Sequence, residues 1–368
     1  QRKILITVGA GGVGKTTTAA ALGLLGAARS RRTLVLTIDP ARRLAVSLGL
    51  DTLDNEARPL PPEKLDRAGL PKDRFFAMML DAKRTFDEVI ARHAIDDTTS
   101  ERVRKNKLYR ELSTRLAGGQ EYAAMEKLHE LVTSGQHDLT ILDTPPMANA
   151  LDFLDAPKKM VDLIDGAAVR LLVHSYEATG KLSFKLLTFG GRYVFKRLAR
   201  FVGGAFLDDL AEFFADMHAM LDGFHDRAAE VTKLLRGDDV GFVIVTSPDE
   251  RAVNQAVLFY ERLVADGYPL AAFIINRVHP LEPPAPVGKA LREALANRGV
   301  ADDLILRLAP VLSNAFEKTQ ALAEGDARAI AELREACGEE HLYVEIPLLD
   351  DDVHDIDSLL DLAAYLVA

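Results

Sequence analysis

Cysteine is almost missing from this chain: Cys337 is the only one in 368 residues. That excludes an intramolecular disulfide and any metal site built from several thiolates of one chain, and it makes a reducing cytosol the natural compartment. Long apolar runs are missing too. No uninterrupted stretch reaches the roughly 20 residues that a membrane-spanning helix needs, and no signal peptide is visible. The chain begins at Gln1, almost inside its first predicted strand, so a targeting segment ahead of it stays open. A surplus of positive charge is the third absence. A net charge of −10 argues against broad nucleic-acid binding, which needs a positive field to release counterions. No nucleic-acid partner is therefore expected, and any basic site must be local. Apolar and charged residues, at 48% and 27%, are ordinary for a globular protein, and the length suffices for a large core.

What is present is most informative just after the run Ile4-Leu5-Ile6-Thr7-Val8, where Gly9 to Thr16 read G-A-G-G-V-G-K-T. This spacing, between a strand and a helix, is that of a phosphate-binding loop. Gly9, Gly11, Gly12 and Gly14 let the backbone turn tightly, so that its N–H groups, with those of Val13 and the helix start, converge on a phosphate. Lys15 is placed to reach the β- and γ-phosphates, Thr16 to complete the ligand set of a magnesium ion, and Thr17 to add a phosphate contact. ATP and Mg2+ are thus the expected ligands.

Short apolar runs recur with helical stretches between them, at Lys3–Val8, Thr33–Ile38, Phe75–Leu80, Leu139–Leu142, Gly241–Thr246, Ala271–Ile275 and Leu342–Ile346. The alternation predicts an α/β fold: a mostly parallel sheet forming a P-loop NTPase core, helices on both faces, and an inserted helical subdomain. The core is assigned to residues 1–82, 134–156 and 237–368, and the helical subdomain to 83–133 and 157–236. A further helical stretch is expected near Gly288–Gly338. Pro59-Leu60-Pro61-Pro62 and Pro280–Pro286 read as surface loops, since proline bars strand or helix continuation. No second phosphate loop is found: Gly288-Lys289 is followed by Ala290, which has no hydroxyl, and Gly180-Lys181 lacks the glycine frame.

Two more strand ends carry carboxylates, in Thr37-Ile38-Asp39-Pro40-Ala41-Arg42-Arg43 and in Asp143-Thr144-Pro145-Pro146. Phosphoryl transfer to water needs a metal ion over the phosphates and a group that orients the water. Asp143 fits the metal side and Asp39 the water side, both meeting the magnesium through water. With Lys15 they form the expected catalytic set. Asp39 has a second reading as a helix cap, because Asp followed by Pro is a good helix start. Asn276, in Phe273-Ile274-Ile275-Asn276-Arg277-Val278-His279, is placed to contact a purine, or else simply ends its strand. His279 stands where a GTPase would need a carboxylate to read guanine, which favours adenine.

With these motifs in this order, and with Ile346-Pro347-Leu348-Leu349 near the end, the chain resembles the ArsA-type ATPases. That family holds the arsenical-pump ATPase and the guided-entry factor for tail-anchored membrane proteins, within the group that includes ParA, MinD and nitrogenase iron protein. The resemblance implies that Asp39 lies in switch I, that Asp143 opens switch II, and that Asn276 and Pro347 flank adenine. It also implies that two P-loop units face each other, so that one chain would form a homodimer or a heterodimer with a paralogue. Three features depart from the family. Ala10 replaces the lysine that usually reaches across the dimer to the partner's phosphates, the cysteines of arsenite sites are missing, and so is the Cys-x-x-Cys zinc clasp.

Between Lys181 and Gly204 lie Lys181, Lys185, Arg192, Lys196, Arg197 and Arg200, interleaved with Phe184, Phe189, Tyr193, Phe195 and Phe201 and with no acidic residue. This island reads as a groove for an apolar protein client, as a patch peripheral to a membrane surface, or as an ordinary helical hairpin. The stripe Phe213, Phe214, Met217, Met220, Leu221 and Phe224 reads either as part of such a groove or as core. Asp350 to Asp357 reads as the acidic start of the last helix rather than a metal cluster. The expected function is that of a dimeric, cytoplasmic, ArsA-like Mg-ATPase that couples nucleotide state to binding and release of a client. Its rivals are a ParA/MinD-like positioning ATPase and a P-loop kinase of a small molecule.

Overall fold

The computed structural model describes residues 2–39, 41, 43–67, 69–106, 109, 119–145, 154–156, 158–159, 161–162, 165–166, 169–170, 173–174, 204–218, 220–281 and 288–367. The basic and aromatic residues between 181 and 201 lie outside that set, as do Pro40, Arg42 and Pro146.

The described strands are β1 (Ile4–Val8), β2 (Thr33–Thr37), β3 (Arg58–Pro59), β4 (Phe75–Met79), β5 (Leu139–Asp143), β6 (Val240–Thr246), β7 (Leu270–Val278) and β8 (Tyr343–Pro347). They form one sheet in the order β3-β4-β2-β5-β1-β6-β7-β8. Every pairing is parallel except that of β3 with β4. The described helices are α1 (Lys15–Ala28), α2 (Arg43–Ser47), α3 (Pro62–Arg67), α4 (Ala82–His93), α5 (Asp97–Lys105), α6 (Gly119–Thr133), α7 (Gly204–His218), α8 (Leu221–Leu235), α9 (Glu250–Asp266), α10 (Gly288–Asn297), α11 (Asp302–Cys337) and α12 (Ile356–Tyr365).

Side chains alternate across a strand, so one β-branched or leucine-rich run feeds both faces of the sheet. Ile4, Ile6, Leu34, Leu36, Phe242 and Ile244 enter one apolar cluster, together with Phe86 of α4, Tyr122 and Met125 of α6, Phe213 and Met217 of α7, and Phe259 of α9. Val35, Ile141, Val243 and Val245 enter the other, against Ala20 and Leu24 of α1 and Leu359 and Leu362 of α12. The result is a three-layer α/β/α arrangement with a mostly parallel sheet, as the sequence predicts.

The prolines behave differently from expectation at one place. Pro59, read as loop, pairs with Phe76 in the two-residue antiparallel edge strand β3. An edge strand tolerates a residue without N–H, because its outer side has no ladder to complete. Pro62 opens α3, where a missing N–H costs nothing. The stripe of Phe213, Phe214, Met217 and Met220 is interior, each side chain being no more than 8% exposed. For these four the core reading holds, and the side chains of Leu221 and Phe224 lie outside the described set. The acidic tail is as read only at its end: Asp355 caps α12, accepting from Ser358 N–H at 2.9 Å, and Asp357 lies in its first turn, whereas Asp351 and Asp352 precede the helix.

Candidate nucleotide site

The ends of β1, β2, β5, β7 and β8 surround a cleft of about 780 Å3. Gly12, Gly14, Lys15, Thr16, Thr17, Asp39, Asn276 and Pro347 all line it. These residues come from four separate segments and, with Thr144 after β5, meet beyond the carboxyl ends of the strands, where open α/β sheets bind ligands. Gly11 lines a second, smaller pocket with Ala10, Val13 and Ser247.

Two glycines of the loop are required by contact. A Cβ on Gly9 would fall 2.0 Å from the Val245 carbonyl oxygen of β6, so the loop can leave the sheet only without a side chain there. Gly14 has φ 96°, and a Cβ on it would lie 2.3 Å from Asn276 Nδ2. The next residue, Lys15, is 5% exposed, and its Nζ donates to the carbonyl oxygens of Gly9 at 3.0 Å and Ala10 at 2.7 Å. Burial is the main cause that lowers its pKa to about 8, with Asp143 and Asp39 opposing.

Asp143 is fully buried at the end of β5. Its Oδ2 accepts from Thr16 Oγ1 and Thr37 Oγ1, both at 2.8 Å. Its Oδ1 has no hydrogen-bond partner among the described residues. Burial raises the carboxyl pKa to about 6 against the pull of the two threonines and Lys15. A buried carboxylate oxygen without a partner, next to a hydroxyl at the loop's end, is a donor set suited to a hard cation with water and phosphate oxygens. Among the described residues no three His, Cys, Asp or Glu come together as a metal cage. A magnesium ion here would therefore draw most of its ligands from phosphate and water.

Asp39 is 8% exposed. Its Oδ1 accepts from Ala41 N–H at 2.9 Å, and its Oδ2 lies 3.6 Å from Arg43 Nη1. The expected helix cap is displaced, since α2 begins at Arg43 and not directly after Asp39. Asp39 instead closes a short turn, which fixes the carboxylate at the cleft wall.

Asn276 fastens the phosphate loop to β7. Its Nδ2 donates to the Val13 carbonyl oxygen at 2.9 Å and its Oδ1 accepts from Arg277 N–H at 3.0 Å. Among the described residues one amide hydrogen and one lone pair stay free for a ligand. His279 turns away. Its backbone N–H and Nδ1 both meet Asp326 Oδ2 of α11 at 2.8 Å, and it does not line the cleft. Pro347 sits opposite Val278 and begins an apolar wall continued by Leu348, Leu349 and Val353. Sequence reading did not assign to the site Thr37, which donates to Asp143, nor Arg277, Asp351, Asp352 and His354, which line the cleft. Thr37 carries a usable signal, a hydroxyl two residues before Asp39 at a strand end. Asp351, Asp352 and His354 carry none, because they also suit a helix start.

A phosphate loop, two strand-end carboxylates and an apolar wall on a parallel sheet define the class of a P-loop nucleotide-binding protein. Residues 2–294 match the ArsA family of anion-transporting ATPases, and the chain belongs to that family. Among curated relatives, ATPase GET3C of Arabidopsis thaliana is 24% identical over 289 residues, which are 76% of this chain and 68% of that protein. ATPase GET3B of the same plant is 24% identical over 298 residues, covering 76% and 65% of the two chains. ATPase GET3 of Malassezia globosa is 21% identical over 365 residues, covering 98% and 89%. The chain spans about two thirds of the length of the two plant relatives. No described helix is long and apolar enough to cross a membrane.

Proposed function

We propose that this chain binds and hydrolyses ATP with magnesium, as one half of a dimer whose nucleotide state governs the hold on a client protein. The observation that carries the reading is the convergence of Lys15, Thr16, Asp39, Asp143 and Asn276 on one cleft. The loop amides and Lys15 would hold the phosphates, with Lys15 exchanging the carbonyls of Gly9 and Ala10 for phosphate oxygens. Thr16 and Asp143 would hold a magnesium ion, which when bound neutralises charge on the phosphate oxygens. Asp39, tethered by Ala41 and Arg43, would orient the attacking water. Asn276 and the wall from Pro347 would receive the adenine.

Membership of an ATPase family supports the reaction. The dimer and an apolar client, with a cytoplasmic setting that extends to a membrane surface, follow the family resemblance. Hydrolysis would reopen the dimer and release the client. The client region remains tied to the segment around residues 181–201, because the Phe213 to Met220 stripe is spent on the core.

Calorimetric titration with MgATP and MgGTP tests the site. ATP should bind about tenfold more tightly or better, the margin of a few directed base contacts, and Lys15→Ala should abolish binding of both. Asp351 and Asp352 are the carboxylates that line the cleft on the side of the apolar wall, so GTP is the informative competitor. Equal or tighter GTP binding would overturn the adenine assignment.

A further inference from the structure

Consecutive residues of a regular strand point to opposite faces, yet Asn276 and Arg277 both line the nucleotide cleft. Two local features bring this about. The register of β7 against β8 shifts there, Ile275 pairing with Glu345 and Val278 with Pro347, so three steps on β7 answer two on β8. Arg277 also has φ 64°, a left-handed conformation that a side chain with a Cβ rarely adopts. The other described non-glycine residues with positive φ are Ser30 and Asp73, neither of which lines the cleft. A bulge of this kind re-aims a side chain, and the strain it holds is a reason to look for a function.

The side chain so aimed is also unused. Of the described cations at the cleft, Lys15 is held by two carbonyl oxygens, Arg43 by Asp39 and His354 by the Asp352 carbonyl. The guanidinium of Arg277 has no hydrogen bond or ion pair recorded among the described residues, and the residue is exposed. Arg277 borders both the cleft and the smaller pocket beside Ala10 and Gly11. Val278 pairs with Pro347 and takes the Leu348 N–H at 2.9 Å, so Arg277 directly precedes the residue that meets the start of the apolar wall, the side proposed for the base.

We infer that Arg277 is a specificity residue for the base, its planar guanidinium covering one face of a purine while the wall from Pro347 covers the other. An arginine suits this position because its delocalised plane is weakly hydrated and stacks on aromatic rings, which a lysine ammonium cannot reproduce. A glycine would fit the backbone better and would lose the contact. The inference rests on the reading of this cleft as a nucleotide site and adds a residue to it.

The test compares wild type, Arg277→Gly and Arg277→Lys by calorimetric titration with MgATP, MgCTP and magnesium tripolyphosphate, and by thermal unfolding without ligand. Arg277→Gly should weaken ATP about tenfold, narrow the preference for ATP over CTP, and leave tripolyphosphate within about twofold. It should also raise the melting temperature by about 1–3 °C, since the left-handed strain is relieved. Arg277→Lys, which keeps the charge and loses the plane, should still weaken ATP about fivefold. Weaker binding in a more stable protein is not what a structural role would give. Unchanged ATP affinity in Arg277→Gly overturns the inference, and so does an equal loss for ATP and tripolyphosphate, which would make Arg277 a phosphate ligand. A wild type that binds no ATP would instead remove the nucleotide-site reading itself.

Discussion

At the scale of single residues, Asp39 shows how a local turn and a catalytic position can share one side chain. Asp39→Asn keeps an oxygen for the Ala41 N–H and so preserves the turn, while it removes the charge that faces Arg43. If Asp39 orients water, this variant should retain ATP affinity within about threefold and lose about 100-fold or more in single-turnover hydrolysis. Unchanged turnover would leave Asp39 a turn residue only. The motif residues were legible because each rests on a spacing with a chemical reason, as with Gly14, whose missing side chain makes room for Asn276. Arg277 was not. Its left-handed φ depends on how β7 registers against β8, a long-range property that the run Asn276-Arg277-Val278 does not encode locally.

At the scale of elements, the junction of α4, α6 and α8 buries charge away from the cleft. Glu126 of α6 is 2% exposed, accepts from Tyr122 Oη at 2.8 Å, and has its second oxygen 3.4 Å from Arg227 Nε of α8. Burial raises its pKa above the ordinary 4.5, more than the Tyr122 hydrogen bond and the charges of Arg227 and Arg92 lower it. The folded state therefore binds this proton more tightly than the unfolded state, and the stability it confers is fully present below the ordinary glutamate value. That contribution is lost as pH rises from there through the folded pKa. Glu126→Gln keeps an acceptor for Tyr122 and removes the titration. Urea midpoints measured from pH 5 to 8 should show wild type losing ground to the variant as pH rises, and parallel curves would refute the assignment. The seven main strands and, among the described residues, helices such as α4, α6 and α11 were readable from apolar runs and their spacing. The edge strand β3 and helix α3 were not, because proline's exclusions lapse at a sheet edge and at a helix start.

At the scale of the whole molecule, the alternation of strands and helices gave the layered fold, whereas assembly has to be argued from what the phosphate loop lacks. Ala10 lines the smaller second pocket with Ser247, Asp249, Arg251 and Arg277, and its carbonyl oxygen is occupied by Lys15. In the proposed dimer, a lysine at this position would place one charge-assisted contact across the interface for each nucleotide, and this chain cannot make it. A homodimer of the wild type should then close weakly on ATP and turn over slowly, unless a paralogue bearing the lysine completes the pair. Ala10→Lys should strengthen ATP-dependent dimerisation by about tenfold or more, the worth of a hydrogen bond to a charged group, in sedimentation velocity with the Asp39→Asn background used to hold ATP. The same substitution in the otherwise native chain should raise the steady-state ATPase rate. If the wild type already dimerises tightly and turns over rapidly, and the lysine variant improves neither, then another cation serves the interface and the argument from Ala10 fails while the nucleotide site stands.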